Sequence, residues 1–366
     1  MLEYRKLQVG NIENSNNVII INGNLHIDRQ VYGDIKEAFL EILQEDMKRY
    51  SVMAKAKAEE EVEKCLQRLI IKLVEEQREN LIEKFQDISI QSVLHDALLG
   101  YMISDEDVKE HIIDELIERL KIRNSTTNQF IINEAINLLP RLSSSTLLLL
   151  AILQLRHQIT NVPVSSMLNF YFEQLSQMID TVDNITDMDI EYLVQCNCVY
   201  RITGLYHIET YEHHLLRAYD LFFRKPISNE ILKDFKEKYP KIMSPVNNLG
   251  TCMFCANGKD ESYFHFCDVN SKLFYKRLSE RGQDFLIPMV EELKNQTPLY
   301  NDTEVREYFY KLNPKWENVF SLLNGQSLIW MDTSILGKYI GSRVLEKYAK
   351  SSSRLSINDF NNPMTL

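Results

Sequence analysis

Residues 11–39 read NIENSNNVIIINGNLHIDRQVYGDIKEAF, and this stretch decides how the rest of the chain is read. Val18, Ile19, Ile20 and Ile21 form an unbroken β-branched run, the side-chain type that best fits a pleated strand. Asn22-Gly23-Asn24 follows, then Leu25-His26-Ile27, which alternates apolar and polar. An Asn-Gly step between two such runs signals a hairpin, because a type I′ turn needs positive φ at both central residues. Residues 7–12 form a further candidate strand, closed by the turn formers Asn14-Ser15-Asn16-Asn17. A sheet this short buries too little to stand alone in water. It must pack on the chain's own helices or pair with the same segment of another chain, since exposed strand edges are templates for pairing. Residues 1–31 are accordingly assigned to self-association, with Val18, Ile19, Ile20, Ile21, Leu25 and Ile27 as contacts. The alternative is a hairpin that caps its own helical domain.

A helix start comes next. Gly33-Asp34 precedes Ile35-Lys36-Glu37, which reads as a capping box with Asp34 at the N-cap and Glu37 at the third position. Apolar residues recur at Ile35, Phe39, Ile42, Met47, Tyr50 and Ala54, and again at Val62, Leu66, Leu69 and Leu73. Glu59, Glu60, Glu61 and Glu63, preceded by Lys55 and Lys57, read as a solvated face. No Pro or Gly interrupts residues 34–86. Unbroken, these would span ~75 Å at 1.5 Å per residue, which favours a helical hairpin broken near Ser51 or a coiled coil.

Beyond residue 87, helices of ordinary length alternate with short polar turns. They are expected at 89–102, 104–123, 124–139, from Ser143 through the Leu-rich run 147–153, and at 164–179, 188–202, 210–223 and 229–238. Residues 87–239 are read as one helical domain, a multi-helix bundle or solenoid-like array without a repeating motif. Residues 240–269, with Pro240, Pro245, Gly250 and Gly258, are read as a loop joint to a second helical domain, 270–350, and residues 351–366 as a flexible tail. The expected fold class is therefore mainly α, with a short N-terminal β segment. Only 11 glycines and 9 prolines in 366 residues agree with long helices. A net charge of −11 argues against non-specific nucleic-acid binding as the main task. The apolar run 147–153 is too short to cross a bilayer, which needs ~20 residues. With six cysteines and no leader-like stretch before the β segment, the reading is a cytoplasmic protein with reduced thiols.

Several constellations carry chemistry. Cys252-Met-Phe-Cys255, with His265 and Cys267 beyond it, offers ligands at the bite of a tetrahedral structural zinc, the single cofactor considered. Thiol redox chemistry and plain burial among Phe254, Phe264 and Phe266 are the alternatives. Cys196-Asn-Cys198 falls on the expected helix 188–202, where such neighbours face apart, and reads as core. Glu209, Glu212, His213 and His214 read as a solvated helix start, the alternative being that Glu209 and His213, neighbours one turn apart, form a pH-sensitive pair or half a metal site. His95-Asp96 matches the metal-binding dipeptide of phosphohydrolases, with His111 and Asp114 nearby in sequence. Lys225, Lys233, Lys236, Lys238 and Lys241 form a basic stretch open to phosphate contact. No nucleotide-binding glycine loop, nucleophile elbow or His-Glu-x-x-His motif occurs.

Residues 11–19 with Gly23-Asn24-Leu25-His26-Ile27 resemble an N-terminal segment shared by a group of bacterial proteins, in which Gly-Asp-Asn-Ser-type residues precede short strands. The resemblance extends through Phe85-Gln86-Asp87, residues 133–142, residues 192–196 and Leu336-Gly337-Lys338-Tyr339-Ile340-Gly341. Gly10-Asn11-Ile12-Glu13 stands where that group has Gly-Asp, and the Cys252–Cys255 loop has no place in the pattern. Similar segments lie beside effector domains in bacterial conflict systems, so the resemblance implies a role in anti-phage defence. It transfers no catalytic residues. The expectation is a homo-oligomeric sensor or scaffold that contacts a partner protein of such a system. An effector enzyme, such as a nuclease or other hydrolase, and a nucleic-acid binder are the alternatives.

Overall fold

A computed structural model of the chain describes residues 13–15, 18–21, 25–44, 48, 52–76, 81, 84–85, 87–122, 127–156, 165–202, 209–240, 254–257 and 260–348. The chain is mainly helical and divides into two units, residues 1–144 and 145–366. This boundary falls within residues 87–239, at the Ser143-Ser144-Ser145 step that opens the Leu-rich helix.

In the first unit, β1 (Glu13–Ser15), β2 (Val18–Ile21) and β3 (Leu25–Asp28) form an antiparallel sheet in that order. The register sets Ile19 opposite Ile27 and Ile21 opposite Leu25. β1 occupies residues expected as turn: Ser15 pairs with Val18, so only two residues link the strands. Pairing with the β-branched run overrides the weak strand preference of Glu13, Asn14 and Ser15. Three residues separate Ile21 from Leu25, one more than a type I′ hairpin loop contains. Those three, and the candidate strand 7–12, lie outside the described residues.

The helix α1 (Arg29–Ile42) starts directly after β3, upstream of the expected cap at Asp34. Asp34 and Glu37 instead sit on its exposed face, since the spacing of a capping box is also that of any helical surface pair. Gly33 lies inside the helix, exposed, with nothing within 4 Å of a built Cβ. A second helix, α2 (Val52–Glu75), carries the stripe Val62, Leu66, Leu69 and Leu73, all buried. Lys36 of α1 pairs with Glu63 of α2, and Phe39 of α1 meets Phe85, beyond α2, edge-on at 5.5 Å. Met47 and Tyr50 lie outside the described residues, and Ala54 is exposed. Glu61 departs from the solvated reading: it is buried and paired with Lys109 at 2.5 Å.

The unit is completed by α3 (Ile88–Ile103), α4 (Glu106–Lys121) and α5 (Thr127–Leu138). Asp87 caps α3 by accepting from the Ser89 amide at 2.8 Å. Gly100 lets α3 approach the turn after α5: a Cβ there would lie 2.2 Å from Pro140 Cγ. Arg119 is buried between helices, its Nε donating to Asn133 at 3.0 Å and its Nη2 to Ser89 at 3.2 Å.

The second unit opens with α6 (Ser144–Gln154), whose residues 147–153 are all buried, then α7 (Ser165–Met178) and α8 (Asp187–Gln195). The helix expected over 188–202 stops at Gln195, and Asn197 adopts a positive φ of 55°. The Asn197 amide donates to Val194 and the Cys198 amide to Leu193, which is the Schellman closure. Cys196 and Cys198 therefore lie in a helix cap rather than on a helix, and Cys198 is buried. The chain continues as β4 (Val199–Arg201), antiparallel to the distant β8 (Met331–Thr333). Between these strands lie α9 (Tyr211–Ala218), β5 (Ile227–Ser228), α10 (Asn229–Lys238), β6 (Phe254–Asn257), β7 (Asp260–Phe266), α11 (Ser271–Glu280), α12 (Ile287–Gln296), α13 (Asp302–Leu312) and α14 (Trp316–Asn324). The last helix is α15 (Ile335–Tyr348).

Part of the expected loop joint 240–269 is thus a hairpin, which with β5 makes a sheet of order β5-β7-β6. Aromatic residues at 254, 263, 264 and 266 flank Asn257-Gly258, so the hairpin has the same kind of signal as residues 18–27. One core of this unit is aromatic, with Phe172, Tyr219, Phe223, Phe309 and Trp316 linked by edge-on and tilted ring contacts. Another gathers Ile227, Phe235, Phe266, Phe274, Leu286 and Val290 around the β5-β7-β6 sheet.

Candidate functional site

The N-terminal sheet consists of strands of three and four residues, with β1 and β3 as its edges. Among the described residues no other strand pairs with either edge. α1 grows directly out of β3 and lies beside β2, so the sheet is tethered to the first helical unit. Val18, Ile19, Ile20, Ile21, Leu25 and Ile27, the expected self-association residues, all fall on β2 or β3. Backbone donors and acceptors along an unpaired strand edge can extend a sheet into another chain.

Three residues of the expected metal set fall on or next to the second hairpin. Cys255 of β6 stands directly opposite His265 of β7, and Cys267 follows the last residue of that strand. Cys252 lies outside the described residues. Ser165 anchors the end of β7: its amide donates to the Cys267 carbonyl at 2.6 Å, and its hydroxyl to Phe266 and Asp268 carbonyls at 2.8 and 3.2 Å. Burial lowers the basicity of His265.

At the start of α9 the pairing differs from the expected one. Thr210 caps the helix, so Glu209 precedes it and lies 3.4 Å from His214 Nδ1 rather than beside His213. Arg217 Nε donates to both Glu209 oxygens at 3.2 Å. The His214 hydrogen bond, reinforced by Arg217, outweighs desolvation and holds the Glu209 pKa down to about 2. His213 faces Asp302 at 3.5 Å. Glu212 is not solvated but buried, accepting from Arg306 Nε and, at 2.8 Å, from Asn324 Nδ2. This group is a structural lock between α9, α13 and α14.

His95 and Asp96 contact each other at 3.3 Å on the accessible side of α3. Asp114 is held by Lys72 at 2.6 Å and His111 is buried. Among the described residues, no group of three or more His, Cys, Asp and Glu is placed to hold a metal ion. Of the basic stretch, Lys225 pairs with Glu304 at 2.9 Å and Lys238 with Glu292. Lys233 is exposed on α10, and Lys241 lies outside the described residues, as does the Lys236 side chain. The pairing offsets the positive charge that two of these five lysines would present to phosphates. Among the described residues, no helix is long and apolar enough to cross a membrane.

A family model described as ":-like", a description that names no activity or ligand, matches residues 31–358. Comparison with curated proteins and with solved structures finds no match.

Proposed function

The chain belongs to that ":-like" family over residues 31–358, and from this premise we propose that it is a homo-oligomeric scaffold or sensor assembled through its N-terminal sheet. The observation that carries this reading is the position of the sheet. It lies before the family-matched region, its strands are at most four residues long, and both its edges are without a partner strand among the described residues. A sheet of this size gains most by adding strands from a second copy, which supplies the backbone hydrogen bonds its edges lack. The run Val18–Ile21 adds apolar surface worth roughly 1.5–3 kcal/mol per fully buried side chain, against the entropy of association. The likeness of residues 11–27 to segments beside effectors of bacterial conflict systems supports a defence-type role in the cytoplasm, with the helical units presenting a surface to a partner protein.

Light scattering on the full chain and on a version lacking residues 1–28 tests this. The truncated protein is expected to keep its helical circular dichroism and lose assembly mass. An unchanged mass would overturn the reading.

A further inference from the structure

The first unit carries two surface features that its own packing leaves unused, and they complement each other. One is the start of α2. Every residue from Val52 to Lys57 is exposed, and Ala58 is the first to be buried. Val52 and Met53, at 87 % and 86 %, are the most exposed large apolar side chains among the described residues. Lys55 and Lys57 stand beside them and enter no ion pair among the described residues. Ala54 and Ala56 sustain the helix here by propensity rather than by burial. The helix thus begins as a knob of two apolar side chains flanked by two unpaired ammonium groups.

The other feature is a slot between α2 and α4, about 380 Å³ in volume and open to solvent. It is lined by Arg68, Ile71, Lys72, Glu75, Glu110 and Ile113. Ile71 and Ile113 make its surface apolar, helped by the aliphatic stems of Arg68 and Lys72. The charged ends of those two are engaged on α4: Arg68 Nη2 lies 2.7 Å from Glu106 Oε2, and Lys72 Nζ lies 2.6 Å from Asp114 Oδ1. Glu75 is exposed and enters no ion pair among the described residues. Around the slot, four carboxylates (Glu75, Glu106, Glu110 and Asp114) stand against two cations. The rim is negative where the knob is positive.

Met53 precedes Ile71 by 18 residues on one continuous helix, ~27 Å at 1.5 Å per residue. A chain therefore cannot place its own knob in its own slot. We propose that the α2 knob of one copy docks in the α2–α4 slot of a second copy. Val52 and Met53 cover Ile71 and Ile113, the unbranched Met adapting to an irregular floor, while Lys55 and Lys57 meet Glu75 and Glu110. Such a contact is heterologous: each copy gives its knob to one neighbour and its slot to another, so copies close into a ring or extend as a filament. The inference rests on the reading of the chain as a self-assembling scaffold, and adds a helical contact to that of the N-terminal sheet. A stable interface uses about 20–30 residues a side. A knob this small binds weakly by itself and gains from a second contact such as the sheet.

The test uses the full chain. Met53→Asp with Lys55→Glu spoils the knob, and Ile71→Lys with Glu75→Lys spoils the slot. Each double variant is expected to lower the assembly mass seen by light scattering at least twofold. An equal mixture of the two should regain mass, because the intact slot of the first receives the intact knob of the second. Met53 and Glu75 are both exposed, so Met53→Cys and Glu75→Cys provide a second readout without disturbing the core. Oxidised together, these chains should give a 53–75 disulfide between one copy of each, identified by peptide mapping. Unchanged mass in both double variants would overturn the proposal, whatever else then occupies the knob or the slot. So would a mixture of folded variants that regains nothing, or a 53–53 bridge formed by Met53→Cys alone. All these variants keep residues 1–28. Mass lost on removing those residues but not in the knob and slot variants would sink this inference and leave the sheet-based reading, and the reverse pattern would do the opposite.

Discussion

Gly337 of α15 packs directly on the carbonyl of Cys198: a Cβ built on it would lie 2.0 Å from that oxygen. The same carbonyl accepts the Ser334 amide at 2.8 Å, and the Ser334 hydroxyl accepts the Gly337 amide at 3.1 Å. One turn on, Gly341 meets the Leu150 carbonyl, with a built Cβ at 2.5 Å. Two glycines four residues apart thus let the last helix lie against α6 and the start of β4. No rotamer relieves a clash between Cβ and backbone, so the elements must move apart. Gly337→Ala is expected to destabilise by ~1–3 kcal/mol or more, read as a lower urea midpoint at unchanged slope. A midpoint equal to that of the unaltered protein would mean the packing is looser than described.

Gly33 provides the opposite case. It lies inside α1, exposed, with open space around a built Cβ and an ordinary helical backbone. Gly33→Ala removes backbone freedom from the unfolded chain at no steric cost, and should stabilise by ~0.4–1 kcal/mol. Thermal unfolding monitored at the helical circular-dichroism band would show a higher midpoint.

These two glycines also show how far the sequence could be read. The mainly helical class follows from scarce Gly and Pro together with polar breaks, and the helix expected at 229–238 coincides with Asn229–Lys238. Ends decided by one residue are harder to see. Asn197 turns the chain into a left-handed cap, closed by its own amide on Val194 and the Cys198 amide on Leu193, which a continuing helix would not have. At residues 33–37 the cap-like spacing has two meanings, and the solvent-facing one applies. Asn257-Gly258 was legible in principle as a hairpin step, since aromatic runs flank it. Contacts between distant segments leave no local pattern at all. Arg306 meets Glu212 across 94 residues, and β4 meets β8 across more than a hundred. Of the candidate sites, the Cys255–His265 pairing was legible as composition, but its cross-strand register belongs to the fold.

Glu209 sets a pH dependence whose sign can be worked out. Its pKa falls from 4.5 to about 2 through the His214 hydrogen bond first, with Arg217 adding to it against desolvation. A depressed carboxyl pKa contributes stability that is fully present above the unfolded value and is lost as pH falls towards the folded one. The stability gap between the unaltered protein and Glu209→Gln should therefore close progressively as pH falls below 4.5. Solvent screening limits the gap to about 1 kcal/mol. Urea midpoints measured across this range provide the check, and a gap that widens in acid would contradict the pairing.

Arg156 follows α6 and ties the end of α14 to β8. Its guanidinium donates to the carbonyls of Leu328 at 2.8 Å, Met331 at 3.0 Å and Leu323. Burial pushes its pKa down to about 10, which still leaves it charged at neutral pH. Arg156→Met would take the guanidinium from all three carbonyls, of which that of Leu328 keeps the Met331 amide at 2.9 Å, and hydrogen bonds to charged groups contribute roughly 1.5–3 kcal/mol each. A loss of at least ~3 kcal/mol is expected. Arg156→Lys should restore only part, because an ammonium lacks the planar fork that reaches several acceptors together. Equal stability of the Lys variant and the unaltered protein would show that charge alone suffices.

Glu212 and Arg306 make the sharpest test of the core of the second unit. Glu212 is 2 % exposed, and its carboxylate accepts from Arg306 Nε and Asn324 Nδ2. Arg306 also donates to Glu317, and Asn324 accepts the Tyr211 amide at 2.8 Å, so one network joins α9, α13 and α14. Removing a single partner leaves a charge buried without its counter-ion, which costs ~3–5 kcal/mol. Arg306→Met should therefore destabilise by about that amount, and Glu212→Leu by less, because Arg306 is about a third exposed and keeps Glu317. Replacing both with apolar residues removes the stranded charge, so the double variant should lie well above the sum of the singles. Urea unfolding of the four proteins gives the coupling energy directly, expected at more than ~1 kcal/mol. Additivity within about 0.5 kcal/mol would mean that water, rather than Arg306, satisfies the carboxylate.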